Sequence, residues 1–503
     1  MLYTGRKPSQ KGGAFIVQPL GTDQEIIQGV TQLFAWMCRY PHPSHGEEAL
    51  AQALEERLRA RGLSPVRDGW NNLMVPIPAA PGRQGAPLVI LQGHLDMVCA
   101  VAPGSGWCPE TSPVVPVVEN GVLRSDGCSS LGADNNLGNA AVLYLLERGV
   151  PHGPLRLLLT TAEEVGLQGA QQVDPAWLSG AYCLLNTDGF TLGQAVISSA
   201  GGLRETFTRS LDLCPRRKQC AFQLTLEGFT GGHSGHDIHR GRANPIRLTA
   251  ACLSALAGQV DYELLSLTGG HAHNAIPMGC TAVIAVSQKD VPALEGAAAR
   301  LSQDIARSHA GSDPGGRVTL RPAPHPPAQA WSAPCRDGVL GALCALRLGV
   351  YAWRDEAAGQ VSASANLGRV ETAGSQVSAA CFIRAACPAD EGALARQHRD
   401  AFRQAGFQAS CSGYPGWPEA PVNPLADAMD GVWQGLTGRR LVRTAVHVGL
   451  EPSVLGAKAP GLVMVSAGPD IRSPHSVEEY APLEGLPLYV RLLAGTLDEL
   501  SRA

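Results

Sequence analysis

Pro87-Leu88-Val89-Ile90-Leu91-Gln92-Gly93-His94-Leu95-Asp96 decides how the rest of the chain is read. Its first half is a short, unbroken apolar run bounded by proline and glycine, which suits a strand buried on both faces of a parallel sheet. Its second half sets an imidazole and a carboxylate just past the end of that strand. The pattern recurs. Leu155-Arg156-Leu157-Leu158-Leu159-Thr160 is followed by Glu163 and Glu164, Ala181-Tyr182-Cys183-Leu184-Leu185 by Asp188, and Leu462-Val463-Met464-Val465 by His475. Asp134 lies in the turn Gly132-Ala133-Asp134-Asn135-Asn136, ahead of a helix expected over Leu137 to Glu147. In an open parallel sheet, ligands bind beyond the carboxyl ends of the strands. Separate segments thus deliver acids or imidazoles to one edge.

Working outward, residues 24–62 read as helical. Ile26, Ile27, Val30, Leu33 and Phe34 recur at helical spacing, and Leu50, Leu54 and Leu58 follow at steps of four. Strands alternating with helices give an α/β domain with a mixed, largely parallel sheet flanked by helices. The middle reads differently. Ala221–Leu226 and Thr281–Val286 alternate as half-exposed antiparallel strands, with helices around 245–257 and 291–308 and a dividing Pro/Gly-rich patch at 311–334. The expectation is a catalytic domain built from residues 1–199 and 412–503, interrupted by an α+β domain over 200–411.

Composition narrows the function classes. The 503 residues are 45% apolar and 17% charged, with a formal charge of −4, a globular balance without the concentrated basic face that nucleic acid or a membrane surface requires. The densest basic run, Arg216-Arg217-Lys218, is a short solvated loop. No apolar stretch reaches the roughly 18–20 residues of a spanning helix, and Met1 to Ile16 shows no apolar leader core, so the chain is expected to stay in the cytoplasm. The 14 cysteines are scattered without C-x-x-C spacing, which predicts reduced, mostly buried thiols.

Imidazole and carboxylate donors suit zinc, cobalt or manganese. Two such ions about 3.5–4 Å apart share a bridging carboxylate and water. Asp134 is the natural bridge, with His94 and Asp188 on one ion and Glu164 and His475 on the other. Successive side chains point apart, so Glu164 as ligand leaves Glu163 as general base for the water between the metals. Asp96 is placed to fix the ring of His94 from behind. Each piece alone has an ordinary reading as a turn, cap or solvated helix residue; their order after the strands carries the two-metal expectation.

These residues resemble the aminoacyl-histidine dipeptidases (peptidase D) among the di-zinc peptidases of aminoacylase and carboxypeptidase type. The carriers include Gly93-His94-Leu95-Asp96, Gly132-Ala133-Asp134-Asn135, Glu163-Glu164-Val165-Gly166, Asn186-Thr187-Asp188, Gly231-Gly232-His233-Ser234-Gly235, Tyr414-Pro415-Gly416-Trp417, His447-Val448-Gly449-Leu450-Glu451 and Pro474-His475-Ser476. The resemblance implies the same ligands and base, a lid domain of doubled size, and His233 as an oxyanion-stabilising lid histidine acting on its own chain's site or a partner's. Asn366, Arg384 and Glu451 are candidates for substrate contacts, an arginine being able to hold a dipeptide's terminal carboxylate bidentately. The implied reaction is hydrolysis of dipeptides, Xaa-His such as β-alanyl-histidine foremost, by a metal-bridging hydroxide. Zinc is the default metal, and cobalt and manganese suit the same donors. The expected partner is a small peptide substrate, in a monomer or homodimer, with no nucleic acid or membrane. The chain departs from the family where Gly189-Phe190-Thr191-Leu192-Gly193 replaces an acidic run, and where Cys128-Ser129-Ser130 stands for a threonine pair. A broader dipeptidase, aminoacylase or carboxypeptidase, or a non-catalytic binding protein on the same fold, remain the alternatives.

Overall fold

The computed structural model describes residues 19–502; the stretch Met1 to Ile16 lies outside the described residues. The chain forms two compact units. The first runs to Ile197 and resumes over Glu419–Thr444 and Leu450 onward, and the second comprises Ser198–Pro418 and Ala445–Gly449.

The first unit is organised by a sheet of β1 (Val66–Arg67), β2 (Leu73–Ile77), β3 (Val89–His94), β4 (Leu155–Thr160), β5 (Cys183–Asn186), β6 (Gln194–Ser199), β7 (Val442–Val446) and β8 (Val463–Ser466), in the order β1-β2-β4-β3-β5-β8-β6-β7. The four apolar runs picked out by sequence are its central, mutually parallel strands, β4, β3, β5 and β8. β2 and β6 flank them antiparallel. Every residue of β3 and β5 is buried, as expected of strands covered on both faces. Register aligns the ends: His94 pairs with Thr160, Gln92 with Asn186, and Ser466 with Asn186. The carboxyl ends of four strands therefore finish at one level.

Helices cover this sheet. The stretch read as helical over 24–62 is two helices, Asp23–Met37 and Glu48–Ala60. The first opens on a capping box in which Thr22 and Glu25 exchange side-chain and backbone hydrogen bonds. Helix Ala133–Arg148 is buried almost all round from Ala133 to Leu145, the signature of a central helix. It packs so close to β3 that a Cβ on Gly93 would lie 2.3 Å from the Oδ1 atoms of Asn135 and Asn139. Glycine there is a condition for bringing helix and strand together.

The second unit is built on a nine-stranded sheet in which every recorded pairing is antiparallel. It carries helices Pro245–Leu256, Val291–Ser308, Ala333–Ala345 and Pro388–Gln404. Two readings need correction. The Pro/Gly-rich patch is no bare divider, because Arg317–Pro322 pairs with Cys220–Glu227 as an edge strand. The return to the first unit falls after Pro418, not at 412, because Gln408–Tyr414 pairs with Gly201–Ser210 and Trp417 bridges Ser199. All 14 cysteines are free thiols, as expected, but fewer than half are buried, since others lie in loops and at strand edges. Among the described residues no helix is long and apolar enough to cross a membrane.

Gly93→Ala forces the side chains of Asn135 and Asn139 off their positions. We expect a loss of about 1–3 kcal/mol, the usual cost of overpacking, measured by urea denaturation of the metal-stripped protein.

Candidate metal centre

The level strand ends bring the predicted ligands of the first unit into one cluster. Asp134 is at its middle. Its Oδ1 lies 3.1 Å from His94 Nε2 and its Oδ2 lies 3.1 Å from His475 Nε2, so each carboxylate oxygen faces one imidazole. His94 Nε2 is also 3.7 Å from Asp188 Oδ1, and His475 Nε2 is 3.0 Å from Glu164 Oε1. Three sets of donor atoms, His94/Asp134/Asp188, Asp134/Glu164/His475 and His94/Glu163/Glu164, each gather within 4.8 Å.

Local backbone explains how adjacent residues reach different places. Asp134 leaves helical conformation at the start of its helix (φ −75°, ψ 108°). Ala162, ahead of the glutamate pair, takes φ 49°, and His475 takes φ 62°. Non-glycine residues in the left-handed region cost energy and cluster at functional sites. The Ala162 turn is held by its N–H donating to Glu47 at 2.7 Å.

Asp96 does more than the sequence suggested. The ring of His94 is held mainly by the backbone carbonyl of Asp96, 3.0 Å from Nδ1, while the nearest carboxylate oxygen is at 3.5 Å. The carboxylate instead accepts the N–H groups of Glu163 at 2.9 Å and Glu164 at 3.1 Å, together with the Ser44 hydroxyl at 2.7 Å. It ties the His94 strand end to the loop carrying both glutamates.

Electrostatics show what the cluster lacks. Burial, and next the charge of Asp134, push Glu164 up to about 7 and Asp188 up to about 6. Burial raises Glu163 well above the usual carboxylate range, with His94 opposing. Burial works against His475, but its contacts with Asp134 and Glu164 win and carry it up to about 10. Two oxygens remain unsatisfied. Asp188 Oδ1 is buried without a hydrogen-bond partner, and Glu164 Oε1, although near His475, is not served, because that ring nitrogen is aligned on Asp134. Buried carboxylates left without donors are costly, and divalent cations satisfy oxygen and nitrogen donors of this kind. The residues fit two metal ions, which the two sets that share Asp134 would hold.

Glu451 is fully buried beneath these strand ends. One oxygen accepts from Gln92 and from Thr160 at 2.7 Å, and Gln92 accepts from Asn186 at 2.6 Å, whose own Oδ1 accepts the N–H of Asp188 at 3.1 Å. The other oxygen has no partner. Burial raises Glu451 to about 7. Sequence reading missed this network and the buried Glu479; neither has a spacing signal, because their partners are backbone amides or residues distant in the chain.

The remaining candidates lie in the second unit. His233 Nδ1 accepts the N–H groups of Gly235 and His236, both at 3.2 Å, and its Nε2 faces Arg384 Nη2 at 3.4 Å. Arg384 is 4% exposed, stacks on Phe382 with its guanidinium carbon 4.6 Å from the ring centre, and lies 3.4 Å from His233 Nε2 and from Ser234 Oγ. Burial and the Arg384 charge depress His447 to about 3; burial, Arg204 and Arg384 depress His273 to about 4. Asn366 is buried and donates to the carbonyl of Ala275 at 2.7 Å.

A peptide-hydrolase architecture is what the sheet and this cluster define, and comparison places it: residues 90–499 match peptidase family M20/M25/M40, and the chain belongs to that family, hydrolases acting on peptide bonds. It is 32% identical to the cytosol non-specific dipeptidase of Escherichia coli K12 over 478 residues, 94% of this chain and 98% of that protein. Its fold is similar to that of the aminoacylhistidine dipeptidase of Vibrio alginolyticus, with a TM-score of 0.84 and 29% identity over 93% of this chain and 96% of that one. The aminopeptidase PepT of Bacillus cereus shares the fold at a TM-score of 0.54 and 15% identity, covering 94% and 98% of the two chains. The resemblance read from the motifs is thus shown.

Asp96→Asn tests the clamp. Burial raises the Asp96 carboxyl, but the neighbouring His94 ring and its charge, then the Glu163 N–H and the Ser44 hydroxyl, outweigh that and hold it below the usual 3.8. Its stabilisation is therefore present above the ordinary aspartate value and lost as the pH falls through the lower folded value. We expect the metal-stripped variant to be about 1.5–3 kcal/mol less stable at pH 7, with the gap closing below about pH 3.8, read from urea midpoints across pH.

Proposed function

We propose that this chain is a two-metal dipeptidase of the cytoplasm, with Xaa-His peptides such as β-alanyl-histidine as favoured substrates. The observation that carries the reading is Asp134, with one imidazole on each carboxylate oxygen and a further acid beside each imidazole. His94, Asp188 and Asp134 would hold one ion, and Glu164, His475 and Asp134 the other. When bound, the ions supply Lewis-acid polarisation of the scissile carbonyl and a more acidic water.

The chain's own groups do the rest. Glu163, drawn upward by burial, is suited to take the proton of the attacking water and return it to the leaving amine. His233, whose Nδ1 is taken by two backbone N–H groups, would use Nε2 to donate to the oxyanion that develops on the carbonyl. Arg384 is a buried cation, and among the described residues no carboxylate pairs with it; such a charge favours an anionic ligand, and the carboxylate terminus of a short peptide meets that need with bidentate geometry. Asn366 would fix the substrate's backbone.

The Vibrio alginolyticus relative's name supports the Xaa-His preference. The E. coli relative's name supports the cytoplasmic location and a broader second reading. A panel of Xaa-His peptides, other dipeptides and N-acyl amino acids, each with and without chelator, separates them. Chelator-sensitive turnover greatest on Xaa-His supports the first; equal rates on other dipeptides favour the second. Failure of all substrates with metal restored sinks both. Glu163→Ala is expected to keep its metals by elemental analysis while kcat falls at least about 10²–10⁴-fold.

A further inference from the structure

Glu479 is buried at 2% exposure, and its carboxylate accepts four consecutive backbone N–H groups. Oε2 takes Leu131 and Gly132 at 2.9 Å each, and Oε1 takes Ala133 at 2.9 Å and Asp134 at 3.3 Å. Gly132, at φ 72°, turns the chain so that these amides converge. Successive N–H groups in such a turn form an anion-binding concavity, and here the chain supplies its own anion.

The same residue belongs to the loop that presents His475. That loop is closed at its base by Arg472 and Tyr480, whose backbones exchange hydrogen bonds at 2.9 and 3.0 Å, and the Glu479 N–H donates to Ser476 O at 3.2 Å. One carboxylate therefore locks the turn bearing Asp134 to the loop bearing His475. Asp96 does the equivalent for the other side, linking the His94 strand end to the amides of Glu163 and Glu164.

We infer that Glu479 is a positioning residue for the Asp134–His475 half of the metal centre, fixing the spacing of two ligands whose loops, among the described residues, are otherwise hydrogen-bonded only through the contact of His475 with Asp134 itself. The inference rests on the two-metal reading above. It requires the carboxylate itself. Four donors need the four lone-pair directions that a carboxylate offers, whereas a glutamine has one carbonyl oxygen and would turn its NH₂ toward two N–H groups.

The test is calorimetric titration of Mn²⁺ into chelator-stripped protein, beside the thermal midpoint of the metal-free form. Wild type should bind two ions. Glu479→Gln should keep one at near wild-type affinity and bind the other about 10–100-fold more weakly, with kcat recovering when excess metal refills the weak site. Glu479→Asp, with the charge kept on a shorter arm, should fall between, and carries the same comparison if the glutamine variant does not fold. Two ions bound as in wild type, or both weakened alike alongside a lower metal-free midpoint, would overturn the inference while leaving the two-metal reading intact. Fewer than two ions on wild type would overturn both.

Discussion

The centre depends on a carboxylate, Asp134, that is shared between two imidazoles in a place where water cannot screen it. Glu163, Glu164 and Asp188 beside it are pushed upward first by burial and then by neighbouring carboxylates. Such a group of acids persists in a folded protein only if each is restrained by donors or balanced by cations. Much of the surrounding polar structure answers that requirement.

The restraint comes from backbone amides. Asp96 gathers the N–H groups ahead of the glutamates, Glu479 gathers those ahead of Asp134, and Asn186 accepts the amide of Asp188. Amides have no counter-charge and no freedom to swing. They hold a loop in place without neutralising the acids that the loop presents. A lysine or arginine here would satisfy the carboxylates and remove their need for a metal.

The sequence made the parallel core legible because four apolar runs are local signals, and the residues following them are carried to one edge by topology alone. What could not be read depends on partners without side-chain identity. Glu479 binds four main-chain donors, so nothing in the spelling of residues 131–134 points to it. Asp96 lies beside the ring of His94 as its H-x-D spacing predicts, with a carboxylate oxygen 3.5 Å from Nδ1, but the spacing gives no sign of the Glu163 and Glu164 amides it also accepts, a contact set by where β4 ends beside β3. The edge strand Arg317–Pro322 was hidden because prolines and glycines around it masked the alternation of Val318 and Leu320.

The two units show opposite electrostatic deficits. Among the described residues no lysine or arginine forms an ion pair with Asp134, Glu164 or Asp188, whose ion pairs are all with imidazoles. In the second unit Arg384 is buried against Phe382, the Tyr414 hydroxyl and imidazoles, and burial lowers its proton affinity with Tyr414 opposing. A fold selected for stability alone would gain by pairing or replacing such charges, since an unpaired buried charge costs several kcal/mol, about 3–5 when a partner is removed. Under the function proposed above, both deficits would be completed from outside: the acids by divalent metal, the arginine by the carboxylate of a substrate.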